Sequence, residues 1–476
     1  MIRNRDELVG SGDEEGIRGL ALDCVEAGLA AARPDRVVRE EVELGDDGHF
    51  SVAGESFDLD DYAEILVLGG GKAAVPVASA LESLLGERID RGAVVTDDGA
   101  GPDTLEIAVR EGDHPIPSER GVEGAREVLE LADSAGEDTL VLAVVTGGGS
   151  ALLPAPAEGV SLADLRGVTD ELLASGADIG EINAVRKHLS ALKGGRLAER
   201  AAPARVVGLV LSDVVGNDLG TIASGPLSPD ETTFGDALDV LDRYGIDAPA
   251  AVRQRLERGA RAGEGGERGE IGETPKSGHP AFERVSIHVL ADGLTALDAA
   301  AERARDRGFD PLVLSSRVRG EAREAAKTHA AVAEESRASG NPVEGPAVLL
   351  SGGETTVTVR GEGVGGPNLE FALSWALDLD AEEDAPVALA AVDTDGRDGG
   401  TDAAGALVDA GTVIKSADAA ASADGRISAE AAREALADND ALAPLADAGC
   451  AIRTGSTGTN VNDLRVLVVG GRNGKS

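Results

Sequence analysis

Three times in this chain a strand-like apolar run ends in glycines followed at once by a charged or reactive residue: Glu64–Lys72, Leu140–Ser150 and Ala347–Glu354. Glycine at the end of a strand lets the backbone turn sharply and approach a ligand closely, with N–H groups turned inward. In a parallel α/β sheet such turns lie at the carboxyl ends of the strands, where ligands bind. The pattern predicts an α/β fold whose loops bind an anion, in an enzyme or a nucleotide binder.

The rest of the chain has the alternation that such a fold needs. Strands are predicted at 65–68, 93–96, 140–145 and 206–211, with a short pair near His49–Phe57, and helices at 12–32, 73–85, 121–134, 162–175 and 183–201. After a Gly- and Glu-dense stretch, Arg258–Pro280, strands are expected near 285–290, 311–315, 347–350, 387–392 and 464–469. Helices are expected near 293–307, 320–339, 368–377 and 429–437. Strands alternating with helices argue for βαβ units and a largely parallel sheet. A length of 476 residues favours two domains. They are placed at 1–257 and 281–476, joined by a linker at 258–280, with the glycine loops of both available to line one cleft.

Charge narrows the partners. The chain carries 86 acidic against 44 basic residues, a net charge of −42, which disfavours nucleic acid and anionic membrane. Lysine is almost absent and alanine and glycine abound, a balance like that of proteins from extreme halophiles, where salt screens repulsion. Cys24 and Cys450 sit in apolar or alanine-rich contexts and read as buried, reduced thiols. Met1–Gly10 is charged where a signal peptide needs an apolar core, and no apolar run is long enough to span a membrane, so a cytoplasmic location is expected.

Several constellations carry chemistry. Lys72, at the tip of the first glycine loop in a lysine-poor chain, offers a compact ammonium to phosphate. The second loop, Gly147-Gly148-Gly149-Ser150, offers amides and a hydroxyl; Ala151 after the serine argues against a nucleophile elbow. On a helix over 183–201, Asn183, Lys187, Ser190 and Gly194 share one face with Arg186 and Lys193 at its edge. That cationic face suits a carboxylate or phosphate. His188 borders the apolar face and reads as packed in the core. Asp213 follows a strand and suits metal binding or acceptance of a hydroxyl proton. The run Asp393–Asp402 is rich in carboxylates suited to a hard cation, and Thr454–Asp463 is a hydroxyl and amide loop of the kind that contacts phosphate or ribose.

In this order the segments resemble the class II glycerate 2-kinase (MOFRL) family. The matching pieces are GGGKAA at 69–74, HPIP at 114–117, TGGGSALLPAP at 146–156, NAVRKHLSALKGGRLA at 183–198, SDVVGNDLGTIASGP at 212–226, SGGETTVTV at 351–359, DTDGRDGGTDAAGA at 393–406 and TGSTGTNVNDL at 454–464. The resemblance implies a Rossmann-like, three-layer α/β/α N-terminal domain and a smaller α/β C-terminal domain. It also implies ATP-dependent phosphorylation of D-glycerate at the 2-hydroxyl, with Mg2+. Lys72, Asp213 and Lys193 are then the expected catalytic residues. Gly70, Gly71, Gly147, Gly148, Gly149, Ser150, Thr457, Thr459 and Asn460 are expected to bind the nucleotide. Asn183, Arg186, Lys187, Ser190, Asn368 and Arg397 are expected on the substrate, and Glu354, Asp393 and Asp395 on the metal.

One departure stands out. Where the family usually has GGRNQE, this chain has Gly365-Gly366-Pro367-Asn368-Leu369-Glu370, so Arg397 or Arg186 must replace the arginine or the substrate preference differs. Two other readings remain open: a nicotinamide-dependent hydroxypyruvate reductase, supported by a loose Gly69-x-Gly71 fingerprint, and a nucleotide-sensing module without catalysis. The oligomeric state is open too, a homodimer among the options.

Overall fold

A computed structural model describes residues 1–10, 16–45, 48–97, 106–263, 271–380, 386–415 and 425–471. Two compact units emerge, one formed by Pro34–Leu290 and the other by Met1–Arg33 together with Ala291–Ser476. This division differs from the expected one at both ends. The first 33 residues belong with the C-terminal half, because helix Ile17–Ala31 packs its Leu20, Leu22, Val25 and Leu29 into that half's core. The expected linker is not a boundary either. Helix Ala250–Gly263 runs into it, and Glu273, Thr274 and Lys276 bond to residues of the same unit. Its central residues 264–270, like 12–15 of the expected opening helix, lie outside the described residues.

The unit Pro34–Leu290 is built on a six-stranded sheet. Across it the strands run Ala108–Glu111, Arg91–Thr96, Glu64–Gly70, Thr139–Thr146, Arg205–Leu211 and Val285–Ala291. Numbered along the chain this is the order 3-2-1-4-5-6 of the dinucleotide-binding folds, and the first five strands pair in parallel. The chain leaves Glu64–Gly70 in one direction and returns to Thr139–Thr146 on its other side. The switch point therefore lies between the two strands that end in glycine turns. Their side chains are buried almost without exception, as a sheet covered on both faces requires. Helix Glu119–Ser134, started by the Ser118 cap, lays Ala125, Val128 and Leu129 against Leu66, Leu68, Val95 and Val141.

Helices Leu162–Ser175, Ile179–His188, Phe234–Tyr244 and Ala250–Gly263 pack mainly on one another through Val168, Leu172, Val185, Phe234 and Leu256. Capping boxes at Ser161, Asp178 and Thr233 fix three of their starts. The sequence predicted one helix over 183–201. It is instead two, Ile179–His188 and Arg196–Ala201, because Ser190 caps a turn and Gly194 and Gly195 take φ of 61° and 80°. Strand Ala108–Glu111 and helices Pro34–Glu41, Phe234–Tyr244 and Ala250–Gly263 were not expected.

The second unit also has a six-stranded sheet, ordered Asp310–Glu321, Ala347–Thr356, Asp463–Val469, Val387–Asp393, Gly405–Asp409 and Ala451–Ile452. Only the first pair is parallel; the others are antiparallel, so the expectation of a largely parallel sheet fails here. One face carries helices Ile17–Ala31 and Gly293–Asp306 against Val348, Val392 and Val466. The other carries Ala322–Ser339 and Pro367–Asp378 against Leu349, Leu389 and Leu467. The third glycine pair is not a loop. Gly352 and Gly353 lie inside strand Ala347–Thr356, where the neighbouring strand shifts register, and a Cβ on Gly353 (φ 135°) would fall 2.1 Å from the Val318 carbonyl oxygen. Cys24 and Cys450 are free and buried as expected, and burial, then Asp23, pushes the Cys24 thiol up to about 12. No helix among the described residues is long and apolar enough to cross a membrane.

Candidate active site

The two glycine turns at the switch point do different work. In the first, Gly69 and Gly71 are there for packing: a Cβ on Gly69 would lie 1.9 Å from the Val144 carbonyl oxygen, and one on Gly71 2.1 Å from Thr146 Oγ1. Gly70 is hemmed in too, a Cβ there falling 2.9 Å from the Val95 carbonyl oxygen. The amides that could have cradled a phosphate are already spent. Gly71 N–H donates to Val95, Lys72 N–H to Gly147, Ala73 N–H to Thr146 Oγ1 and Ala74 N–H to Gly71. Gly70 and Gly71 therefore shape the site without offering amides, contrary to expectation. Lys72 is carried out of the sheet, half-buried, over the second turn.

The second turn is the centre of the site. Each of its glycines is walled by a residue that matters. A Cβ on Gly147 would fall 2.1 Å from Asp213 Oδ2. One on Gly148 (φ 79°) would meet Lys72 Cγ at 3.1 Å and the His114 ring at 3.2 Å, and one on Gly149 would meet Ala223 Cβ at 2.8 Å. Ser150 Oγ lies 2.8 Å from Ser224 Oγ. The N–H groups of Gly148, Gly149 and Ser150 find no acceptor among the described residues. Open amides, a lysine and a carboxylate thus converge on one four-residue turn. Burial raises the pKa of Asp213, and the Lys72 ammonium pulls only partly the other way.

The adjoining helix Ile179–His188 brings its polar residues to different ends. Asn183 Oδ1 accepts from Ser224 Oγ at 3.0 Å, and its Nδ2 is buried without a partner among the described residues. Arg186 has no hydrogen bond or ion pair among the described residues, and burial lowers its pKa. Lys193 is buried, donates to the Leu153 carbonyl at 2.9 Å, and is brought down to about 7 by burial and then by Arg186. Arg186 and Lys193, close enough for the arginine to lower the lysine's pKa, suit an anionic ligand.

Lys187 and Ser190 do not join it. Lys187 Nζ is 3.3 Å from Asp230 Oδ1 in a buried pair that Thr232 and Thr274 complete. Burial alone would raise the Asp230 pKa; Lys187 and those hydroxyls bring it below the usual range. Ser190 Oγ accepts the N–H groups of Leu192 and Lys193 and so caps the turn. His188 is fully buried, bonded to Ala184 and Glu273, as expected.

The second unit gathers a carboxylate cluster of its own. Asp393 and Asp463 face each other across neighbouring strands, and Asp395 and Asp398 follow in the next turn. Burial, then Asp395, drives the Asp393 pKa upward. Asp398 caps helix Pro367–Asp378 through the N–H groups of Asn368 and Leu369, and burial pushes it up to about 7. Asn368, expected on the substrate, is fully buried and bridges Asp398 and Asp463. Pro367 opens this helix, a position that suits proline. Arg397 is exposed, and Glu354 is exposed on its strand.

The hydroxyl loop is committed internally. Thr457 Oγ1 donates to the Thr394 carbonyl, Thr459 Oγ1 to the Ala32 carbonyl, and Asn460 Oδ1 accepts from Asn462 N–H. These side chains stitch the loop to the 393–396 turn and to the N-terminal helix. The sequence had suggested these residues for a nucleotide; the Thr457 and Thr459 hydroxyl protons are instead engaged within the loop's own unit. Two residues the sequence reading did not single out belong to the first site: His114, in the HPIP segment, and Ser224.

Comparison with known proteins agrees with this architecture. A family model described as a domain of unknown function (DUF4147) matches residues 20–257, and the MOFRL family model matches 347–463. The D-glycerate 2-kinase of Thermotoga maritima is 39% identical over 458 residues, covering 96% of this chain and 99% of that protein. The glycerate 2-kinase of Pyrococcus horikoshii is 38% identical, covering 97% and 99%. A putative hydroxypyruvate reductase of Agrobacterium vitis is 41% identical, covering 85% and 87%. The crystal structure of the Thermotoga maritima glycerate kinase superposes with a TM-score of 0.79 at 38% identity, over 95% of this chain and 99% of that one. By sequence along its length and by fold, the chain belongs to the class II glycerate kinase family.

Proposed function

We propose that the protein transfers the γ-phosphoryl group of ATP to the 2-hydroxyl of D-glycerate, giving 2-phosphoglycerate and ADP. The observation that carries this reading is the Gly147–Ser150 turn, which brings Lys72, Asp213 and open amides together. Phosphoryl transfer asks a protein for positioning and charge neutralisation more than for covalent chemistry. Arg186, with Asn183 and Lys193 nearby, holds the glycerate carboxylate. Lys72 and the amides of Gly148 to Ser150 offset charge on the transferred group. The 2-hydroxyl oxygen bonds to the γ-phosphorus as the bond to ADP breaks, and Asp213, its proton affinity raised by burial, accepts the hydroxyl proton.

Among the described residues no group of three or more His, Cys, Asp or Glu could hold a metal unaided. Mg2+ in kinases needs only one or two protein carboxylates, water and phosphate oxygens completing its shell. Asp393 and Asp395, crowded enough to raise the Asp393 pKa, fit that donor set. Mg2+ when bound supplies charge neutralisation to the phosphates.

The reductase reading has relatives so named and the dinucleotide-fold strand order in its favour. Against it, the first glycine turn has no amides left for a pyrophosphate. The test is direct. In molar KCl with Mg-ATP, D-glycerate should release ADP, while NADH with hydroxypyruvate should stay unoxidised. ATP bound but not consumed with any small hydroxy acid would favour a sensing module, and NADH oxidation the reductase.

A further inference from the structure

The central turn is buttressed by a segment in a conformation its residues do not favour. Ala223, Ser224 and Gly225 have φ of 49°, 62° and 64°, values that alanine and serine adopt only where their surroundings enforce them. The enforcing contacts are specific. Ala223 sits against Gly149, where any larger residue would collide with it. The Ser224 carbonyl accepts Gly194 N–H at 3.1 Å, which ties the segment to the turn that carries Lys193. Ser224 itself is fully buried, with its hydroxyl 3.0 Å from Asn183 Oδ1 and 2.8 Å from Ser150 Oγ.

The direction of this chain follows from counting protons. A serine hydroxyl has one proton, and an amide oxygen can only accept. Ser224 therefore donates to Asn183 and must accept from Ser150. The Ser150 proton is thereby used up, so Ser150 meets a ligand with lone pairs only, as an acceptor. The Asn183 amide, in turn, is fixed with its oxygen towards Ser224 and its Nδ2 away from it, buried and without a partner. A buried donor left unpaired is costly and calls for an acceptor.

We propose that Ser224 is a positioning residue that sets this polarity, so that Asn183 donates to an oxygen of the bound ligand while Ser150 accepts from a ligand hydroxyl. The ligand class is a small acid that also carries hydroxyl groups, and the inference rests on the hydroxy-acid reading above. Ser224 touches no reacting atom; it acts through its two neighbours.

Ser224→Gly is the discriminating variant, because glycine accepts a φ of 62° without strain while the hydroxymethyl group, and with it both hydrogen bonds, is removed. With D-glycerate and Mg-ATP, its KM for D-glycerate should rise at least about tenfold, the factor that one lost hydrogen bond makes, while KM for ATP stays near wild type. Adding Asn183→Ala to Ser224→Gly should cost less than the two changes made separately. An unchanged KM for D-glycerate in Ser224→Gly overturns the proposal. A crystal structure of Ser224→Gly tests the positioning without any substrate. Rotation of the Asn183 amide and the Ser150 hydroxyl away from their present directions is expected. Both side chains left in place would overturn it, and rotation in a protein inactive on D-glycerate would mean that the acceptor assignment alone has failed.

Discussion

Gly147→Ala gives the sharpest test of the turn-centred site, because it adds one methyl group where the geometry leaves no room. Gly147 does not need a positive φ, so alanine brings no backbone strain of its own. Its Cβ would lie 2.1 Å from Asp213 Oδ2 and 2.6 Å from Cγ, where ordinary contact begins at 3.4 Å. The carboxyl group must therefore withdraw by about 1 Å or more, a misplacement that costs on the order of 10²-fold in turnover at a catalytic group. The assay is kcat with Mg-ATP and D-glycerate in molar KCl, alongside the melting temperature. Gly167→Ala, whose Cβ meets nothing nearer than Pro249 at 3.8 Å, is the neutral control. The mechanism also predicts epistasis: in an Asp213→Ala background, adding Gly147→Ala should cost little further, since its target is gone. A Gly147→Ala enzyme with wild-type kcat would refute the reasoning, as would full additivity with Asp213→Ala.

Other outcomes follow from the same geometry. Lys72→Ala should cut turnover by orders of magnitude with the fold retained; near-normal turnover rejects its role on phosphate. Asp230→Asn strands a buried Lys187 and should cost about 3–5 kcal/mol, lowering the melting temperature by roughly 6–20 °C, whereas Lys187→Met should leave KM for D-glycerate unchanged. Lys193 loses its proton near pH 7 in the folded chain but near 10.5 when unfolded. The unfolded state thus binds more protons between those values, and stability should rise with pH across that window. Urea midpoints of wild type should show that rise, and Lys193→Met should flatten it; parallel curves would contradict the assignment. With a net charge of −42, the protein should melt at higher temperature in molar KCl than in dilute buffer, and equal stability in both would remove the halophilic reading.

What the sequence disclosed follows from what local chemistry can express. The buried strands were legible because runs such as Leu140–Val145 are aliphatic on both faces, and their glycine ends marked where ligands bind before any strand order was known. Long-range facts were not legible. Helix Ile17–Ala31 completes a sheet whose strands begin some 290 residues later, and no local pattern announces that. Gly353 looked like a loop glycine because a register shift inside a strand leaves the same residue in the text as a turn does. A helical wheel put Lys187 beside Arg186 and Asn183, yet it could not show that Asp230, 43 residues on, neutralises the lysine while the arginine has no partner among the described residues. Gly194 and Gly195, read as part of that helix, instead hold positive φ in the turn between two helices. Ser224 gave no signal at all, since nothing in Ala-Ser-Gly-Pro reveals a serine held at positive φ.

The proline at 367 sharpens the question of the acceptor. It starts a buried helix and leaves Arg186 as the cation without a partner in the site described, while Arg397 stands exposed. The most direct test is therefore chemical identity. Protein, Mg-ATP and D-glycerate are incubated in molar KCl and the product is read by phosphorus–proton correlation NMR. The account predicts one phosphoester, coupled to the proton on carbon 2, formed in step with ADP. Phosphate on carbon 3, or ATP left intact, would contradict it.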